Sequence, residues 1–268
     1  MTSSTGESRS ARVASLGHRG PASWTGAPPT GGAWMRPCTW LVTGLLAASG
    51  GSTVIEAQSE SRQESQSHQA TAEFFLGSAW SLPLPLVIRL PGESVALRAR
   101  YATRPWADAP YYAYRVGVGS RGHAAEAELV HHKLYLTNPR PPIEHFEVTH
   151  GYNLALGNLV IPTAGWQVRL GVGLVIAHAE GRVAGWVVGQ RAGRVRTFLG
   201  SGYHVAGVTT QLAFGRRYPL GPGATALTVA PEAKLTAAFA RVPLEEGSVL
   251  VPNVAVHALA GLGVRHRW

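Results

Sequence analysis

Histidine is the side chain best suited to moving a proton near neutral pH, and this sequence places five of its eleven histidines between residues 131 and 178. His131 and His132 open the run His-His-Lys-Leu-Tyr. His145 and His150 bracket a second run that continues through Gly151, Tyr152 and Asn153, and His178 follows in Ile-Ala-His-Ala-Glu. Residues 137–142, with prolines at 139, 141 and 142, read as the loop between the first two groups. Folded about that loop, the segments make a hairpin in which His131 faces His150. Parity then puts Leu129, His131, Lys133 and Tyr135 on one side, together with Phe146, Val148, His150 and Tyr152, and His178 joins them from the next strand. Asn153 falls on the opposite side, and only a bulge would bring it round.

The chemistry that such a group offers is acid–base catalysis, with His150 as base and His131, His178, Tyr152 or Asn153 in support. His131, His150 and His178 are acceptable metal ligands by type, but no local spacing signature accompanies them, so no metal or cofactor is expected. A second candidate group is basic. Arg182, Arg191, Arg194 and Arg196 lie in residues 179–202, where Glu180 is the one acid. That balance suits phosphate contacts.

The elements that must carry these residues are strands. From residue 71 the pattern has period two: Glu126 and Glu128 alternate with Ala125, Ala127 and Leu129, and Arg169 alternates with Val168 and Leu170. Likewise Thr209 and Gln211 alternate with Val208 and Leu212, and Lys234 and Thr236 with Leu235 and Phe239. Several segments reach the length that a tilted strand needs to cross a bilayer. Short turns are expected at Pro91-Gly92 and at residues 120–122, 162–165 and 221–223. Longer connections are expected at residues 105–110, 137–142, 179–202 and 242–248. Their alternation predicts an all-β, antiparallel, transmembrane up-and-down β-barrel of eight to ten strands, the count depending on whether Pro83 and Pro85 split the first segment. The polar face, expected inward, holds Arg98, Arg100, Arg115, Glu126, Glu128, Glu147, Arg169, Lys234, Arg265 and Arg267, either as an ion-pair network or as the lining of a narrow channel.

The ends of the chain fit export. Met35-Arg36-Pro37-Cys38, an apolar stretch over residues 39–48 and small residues near Ala57 have the layout of a secretory signal. Residues 1–57 are thus expected to be an over-called start plus signal peptide, residues 58–70 a flexible periplasmic lead-in, and residues 71–268 the barrel. The single cysteine, Cys38, lies in the removable segment, which leaves no thiol chemistry for the mature chain. The net charge of +9 does not imply nucleic acid, because no basic patch is interleaved with aromatics. The final segment, 254–268, alternates and closes on Trp268. It resembles the C-terminal assembly signal of bacterial outer-membrane barrels, which implies the barrel-assembly machinery as a partner, an outer-membrane location and, by default, a monomer.

His150-Gly151-Tyr152-Asn153 is also similar to the His-x-Ser-Asn motif of the outer-membrane lipid A 3-O-deacylases, small barrels whose active site faces the membrane. The resemblance implies lipid chemistry at the outer leaflet. Tyr152 stands where that family has its serine nucleophile, and a phenol of pKa about 10 is a poor nucleophile. No Glu stands at the family's distance downstream. The functions left open are a structural or binding barrel that engages lipopolysaccharide or a small ligand at its outer rim, a membrane-facing lipid A-modifying hydrolase or acyltransferase, and a narrow solute channel.

Overall fold

The computed structural model describes residues 68–120, 123–188, 203–244 and 247–268. The expected signal segment and most of the lead-in lie outside the described residues. Eight strands form the wall: β1 (His68–Ser81), β2 (Tyr112–Ser120), β3 (His123–Leu136), β4 (Ile143–Thr163), β5 (Trp166–Ala177), β6 (His204–Gly215), β7 (Thr225–Leu244) and β8 (Gly247–Arg267). Each pairs antiparallel with its neighbours in sequence, and β8 returns to β1 in register Phe74↔Leu262, so the sheet is a closed eight-stranded meander. Closure satisfies both edges of every strand, which an open sheet in hydrocarbon cannot do. β1 begins at His68 rather than at residue 71, because Trp268 and His68 exchange two backbone hydrogen bonds of 3.1 Å.

The strand count is settled by Leu82 and Pro83, which end β1. The next strand, Leu84–Leu90, adds no ninth stave. It pairs with Ser248–Leu250 of β8 above the point where β1 stops, and it folds back as a hairpin onto Glu93–Ala99. Two expected turns are thereby relocated. Pro91-Gly92 is at the loop end, not the end that carries the termini. Residues 242–248 are not a long loop, because β7 and β8 stay paired up to Leu244↔Gly247. At the opposite end Ala164 (φ 48°) and Gly165 (φ 82°) make the two-residue turn between β4 and β5, both with the positive φ that a tight hairpin of this twist needs.

The wall has two halves of opposite polarity. Toward the termini, the inward face carries Arg115, Arg169, Arg217 and Lys234 against the carboxylates Glu73, Glu126, Glu128 and Glu232, and Arg265 is buried on the same face. Arg115 alone reaches Glu128 at 2.9 Å and Glu232 at 2.6 Å. Asn158 and Gln211 donate to Glu128 at 2.9 and 2.7 Å. Charges this deeply buried persist only when paired and hydrogen-bonded, and here each carboxylate has a cation within 4 Å. The centre of the lumen is filled, with the Arg115, Glu128 and Lys234 side chains at 0 % exposure, which speaks against the narrow solute channel. Outward on this half are Val116, Leu170, Val172, Leu212 and Leu262, all well exposed.

Toward the loops the polarity reverses. Leu86, Ile88, Val148, Val183, Leu244 and Val249 pack inside as one apolar cluster, and the charged residues turn out. Arg98 and Arg100, expected in the lumen, are exposed there. Asn138 binds the backbone of both, donating to the Arg98 carbonyl at 3.0 Å and accepting from the Arg100 N–H at 2.7 Å. Glu147 also faces away from the lumen, whereas Arg265, at the other end, is buried on the inward face and Arg267 shares its parity. An outside-in wall below and an ordinary apolar core above describe a barrel that spans hydrocarbon over one half and stands in water over the other.

Outward Trp80, paired with Val256, and outward Trp268 mark the two ends of the apolar band. Between them lie roughly 40 Å of strand at ~3.3 Å per residue, or roughly 30 Å across a wall tilted by about 40°. That is about one hydrocarbon thickness.

Candidate functional site

The histidine-bearing strands meet on the outer wall, in a register other than the expected one. His131 stands opposite Asn153, not His150. The ladder skips between His132↔Tyr152 and Leu134↔Val148, so β4 holds two more residues than β3 across this interval. The extra residues lie at 149–151, where Gly151 adopts φ 126°. Below this bulge Asn153 faces outward and Tyr152 inward, the reverse of the sequence expectation. Phe146 and Val148 also face inward, into the apolar core of the loop half. The bulge turns His150 out, although its strand parity would have turned it in.

Tyr152 is therefore withdrawn from any lipid-facing chemistry. It is fully buried, its hydroxyl donates to the Val251 carbonyl at 2.8 Å, and its ring stands edge-on to His132. Lys133 and Tyr135 keep their outward parity but are covered by residues 104–110. Lys133 Nζ donates to the carbonyls of Ala107 and Ala109, and the Tyr135 hydroxyl to Asp108 at 2.7 Å.

The residues that remain on the outer face lie side by side, His131 and Asn153 covered at 5 % and 4 % exposure and His150 open. His131 Nδ1 lies 2.8 Å from Asn153 Oδ1, and the ring stacks on Tyr112 at 4.8 Å. Asn153 folds over Gly151, where a Cβ would come within 2.2 Å of its amide nitrogen. Next along the wall, Glu180 Oε1 lies 3.3 Å from His150 Nδ1 and 3.1 Å from His178 Nε2. The two imidazoles are 5.3 Å apart. Tyr203 stands edge-on to His178 and donates its hydroxyl to the His150 carbonyl at 2.6 Å. Burial, with the Glu180 charge second, raises the Tyr203 phenol above its ordinary value and keeps that proton in place.

Glu180, Tyr112 and Tyr203 were not among the expected site residues. Glu180 had a signal: it is two residues from His178 and so shares its face. Tyr112 had one too, because the expected turn at residues 120–122 sets it opposite His131, and Tyr203 precedes His204, the partner of Ala177. Of the basic group, Arg182 is exposed and lies 3.9 Å from Glu144. Arg191, Arg194 and Arg196 fall outside the described residues. Among the described residues no group of three or more metal-ligating side chains is arranged to hold an ion.

The tilt of the wall sets the height of the patch. Paired residues followed around the ring from Phe75 run through Ala113, Val130, Leu154, Val175, Gly207 and Ala240 to Val251. Val251 adjoins Leu250, the partner of Val87. One circuit thus climbs from the middle of β1 to the strand beyond its end. Asn153 and His131, part-way round, consequently sit near the height of Trp80, at the loop-side border of the apolar band.

A closed antiparallel eight-stranded barrel with an apolar outer wall and a polar outward patch at its border is the class these features define. No protein-family model matches the chain, and no curated protein does. Among solved structures it is similar to the crystal structure of Neisserial surface protein A (NspA), with 10 % identity, 75 % of this chain and 97 % of that one covered, and a TM-score of 0.35. It is also similar to the solid-state NMR structure of outer membrane protein AlkL in DMPC lipid bilayers, with 14 % identity, 85 % and 97 % covered, and a TM-score of 0.42. Likenesses at this level add nothing about the patch, and the class rests on the chain's own hydrogen-bonded ring.

Proposed function

We propose that this chain is an outer-membrane barrel of the binding type, which holds the headgroup of an outer-leaflet lipid, with lipopolysaccharide as the candidate, against the patch of His131, Asn153, His150, His178 and Glu180. The observation that carries this reading is position. Polar and ionisable side chains gather on the outward face of a wall that is otherwise apolar, at the height where hydrocarbon gives way to headgroups. A polar ring there needs a partner, and a headgroup supplies one. The end with the termini and the short turns then lies in the periplasm, and the end with the apolar core stands outside. The test is native mass spectrometry of protein extracted from outer membranes. Wild type is expected to retain a lipid that Asn153→Leu and His150→Ala lose. Equal retention by all three would remove the patch from the reading.

A second reading is favoured by one contact. A carboxylate at Nδ1 is the arrangement that leaves Nε2 of an imidazole free to take a proton, and Glu180 stands so to His150. In this reading His150 takes a proton from water, the water oxygen bonds to an ester carbonyl carbon of the bound lipid, and the alcohol leaves with the proton that His150 returns. Water must be the nucleophile, because Tyr152 points inward. Mass spectrometry of lipid A from cells expressing wild type or His150→Ala tests it. Loss of an acyl chain with wild type alone supports hydrolysis, and an unchanged profile leaves binding.

A further inference from the structure

We propose that the outer surface just above the apolar band holds the phosphate monoester of an outer-leaflet lipid, gripped by Arg98 and Arg100 with Arg241 as a third cation. This site uses none of the histidine patch and goes beyond the reading above.

The wall turns these arginines out where it has left hydrocarbon. Ala99 is fully buried, so Arg98 and Arg100 project from the opposite face, two residues and roughly 6.6 Å apart. Their backbone is fixed: Asn138 binds both, and the Arg100 carbonyl also accepts from the Thr137 N–H at 2.9 Å and hydroxyl at 3.0 Å. Arg98 Nε donates to the Pro83 carbonyl at 3.3 Å. Pro83 is three residues beyond Trp80, roughly 10 Å along the chain from the border of the band. Arg241 is exposed on the outward face of β7, and its Nε donates to Ser248 Oγ at 3.2 Å. Its partner Leu250 pairs in turn with Val87, in the hairpin that carries Arg98, so one sheet joins the two positions.

These guanidiniums lack an anion. Among the described residues none of the three has a carboxylate within 4 Å, whereas Arg115, Arg169 and Arg217 in the lumen all have one. Of the nearby acids, Glu93 stands at the tip of the hairpin, five residues from Arg98, and Asp108 accepts from Tyr135. In Arg98 and Arg241 alike, Nε is tied to the protein, which orients the planar fork and leaves the Nη groups unpaired among the described residues. A fork held by its Nε suits the oxygens of a phosphate, which accept charge-assisted N–H bonds. The surface beneath selects a lipid over a free anion. Leu82, next to Pro83, and Phe239, two residues below Arg241, are 52 % and 56 % exposed and give acyl chains of the same molecule an apolar bed. Glu245, Glu246, Arg191, Arg194 and Arg196 fall outside the described residues, and all five enter the test.

The experiment uses protein with 15N-labelled arginine refolded into dodecyl maltoside micelles at pH 7.5. It is titrated in parallel with dodecyl phosphate, inorganic phosphate and dodecylphosphocholine. Dodecyl phosphate is expected to move the Arg98 and Arg241 Nε resonances saturably. Arg98→Gln and Arg100→Gln should each weaken this response, read at Arg241, about tenfold, as for the loss of one charge-assisted hydrogen bond. Arg98→Lys should recover only part, because an ammonium keeps the charge without the fork. Asn153→Leu should leave the titration unchanged, so this site and the histidine patch fail separately. Equal saturation by inorganic phosphate would overturn the lipid, and equal saturation by dodecylphosphocholine would overturn the monoester. A response lost on changing Arg191, Arg194 and Arg196 together to Gln, but not with Arg98→Gln, would overturn the site. Tenfold tightening with Glu245→Gln and Glu246→Gln combined would show that those acids already occupy Arg241 and strike it from the site. No saturable response to dodecyl phosphate would overturn the proposal outright.

Discussion

Arg115 and Glu232 are 117 residues apart and on strands separated in the ring by β8 and β1, yet Arg115 Nη2 lies 2.6 Å from Glu232 Oε1. The contact crosses the lumen and ties together parts of the wall that share no backbone hydrogen bond. It is one strand of a network in which each carboxylate faces at least one cation. A network of this kind is a poor place to remove one member. Arg115→Leu should lower stability by about 3–5 kcal/mol, the cost of leaving buried carboxylates uncompensated. The urea midpoint for unfolding from detergent micelles measures it. Arg115→Leu combined with Glu232→Gln should recover part of the loss, because one stranded charge is gone. A single variant as stable as wild type would show that water reaches the network.

Gly151 and Asn153 make the outward patch possible in a different way. Gly151 holds φ 126°, and a Cβ on it would overlap the Asn153 amide. Gly151→Ala should therefore displace Asn153 from His131 at a modest cost to the barrel, about 1–3 kcal/mol for a strained backbone position. The lipid retained by the wild type should be lost while the heat-dependent gel shift of the folded barrel persists. If lipid retention survives, the bulge is not what shapes the patch.

The legibility of this chain in its sequence divides along the same line as its polarity. Along β7 and β8 the alternation of Lys234 and Thr236 with Leu235 and Phe239, or of His257 with Val256 and Ala258, gives the inward and outward faces correctly. Arg98 and Arg100 alternate with Leu97 and Ala99 just as cleanly, but there the polar face is the outer one, because that hairpin stands beyond the apolar band. Period two tells which residues share a face. It does not tell which solvent the face meets, and that depends on height along the barrel. The patch failed in its register for a related reason: loop-centred pairing of His131 with His150 is reasonable until two extra residues enter β4, and Gly151 is the one residue that marks them. His131, His150 and His178 were expected to meet; His150 and His178 meet at Glu180, while His131 lies covered against Asn153. The approach of Glu180 depends on the pairing Glu147↔Glu180, a contact between β4 and the short strand Glu180–Val183 that no local pattern announces.

The reversal of polarity can be tested with two substitutions that answer differently. Val172 is 69 % exposed on the outward face of β5, and in a bilayer Val172→Arg should cost about 2–4 kcal/mol if that face lies near the midplane. Ile88 is fully buried in the loop half, and Ile88→Ala should cost about 2–5 kcal/mol as a cavity in an ordinary core. Folding titrations in vesicles and in zwitterionic micelles separate the two. The Val172→Arg penalty should shrink in micelles, where an arginine finds water readily, and the Ile88→Ala penalty should not. Equal behaviour in both media would mean that the apolar band does not face hydrocarbon.

Trp268 supports a prediction about assembly rather than stability. Its backbone closes the barrel against His68 through two 3.1 Å hydrogen bonds, which any residue at this position could make. Its ring is 62 % exposed and stacks between His68 and His266 at 5.9 and 5.8 Å, so it covers little of the protein. Trp268→Ala should therefore leave the urea midpoint within about 1 kcal/mol of wild type, the scale of an exposed ring contact. If the ring is read by the barrel-assembly machinery, the same change should lower the amount of folded protein in outer-membrane fractions several-fold while unassisted refolding into micelles keeps its rate. Refolding that slows in step with the loss from the membrane would assign the ring to folding of the barrel itself.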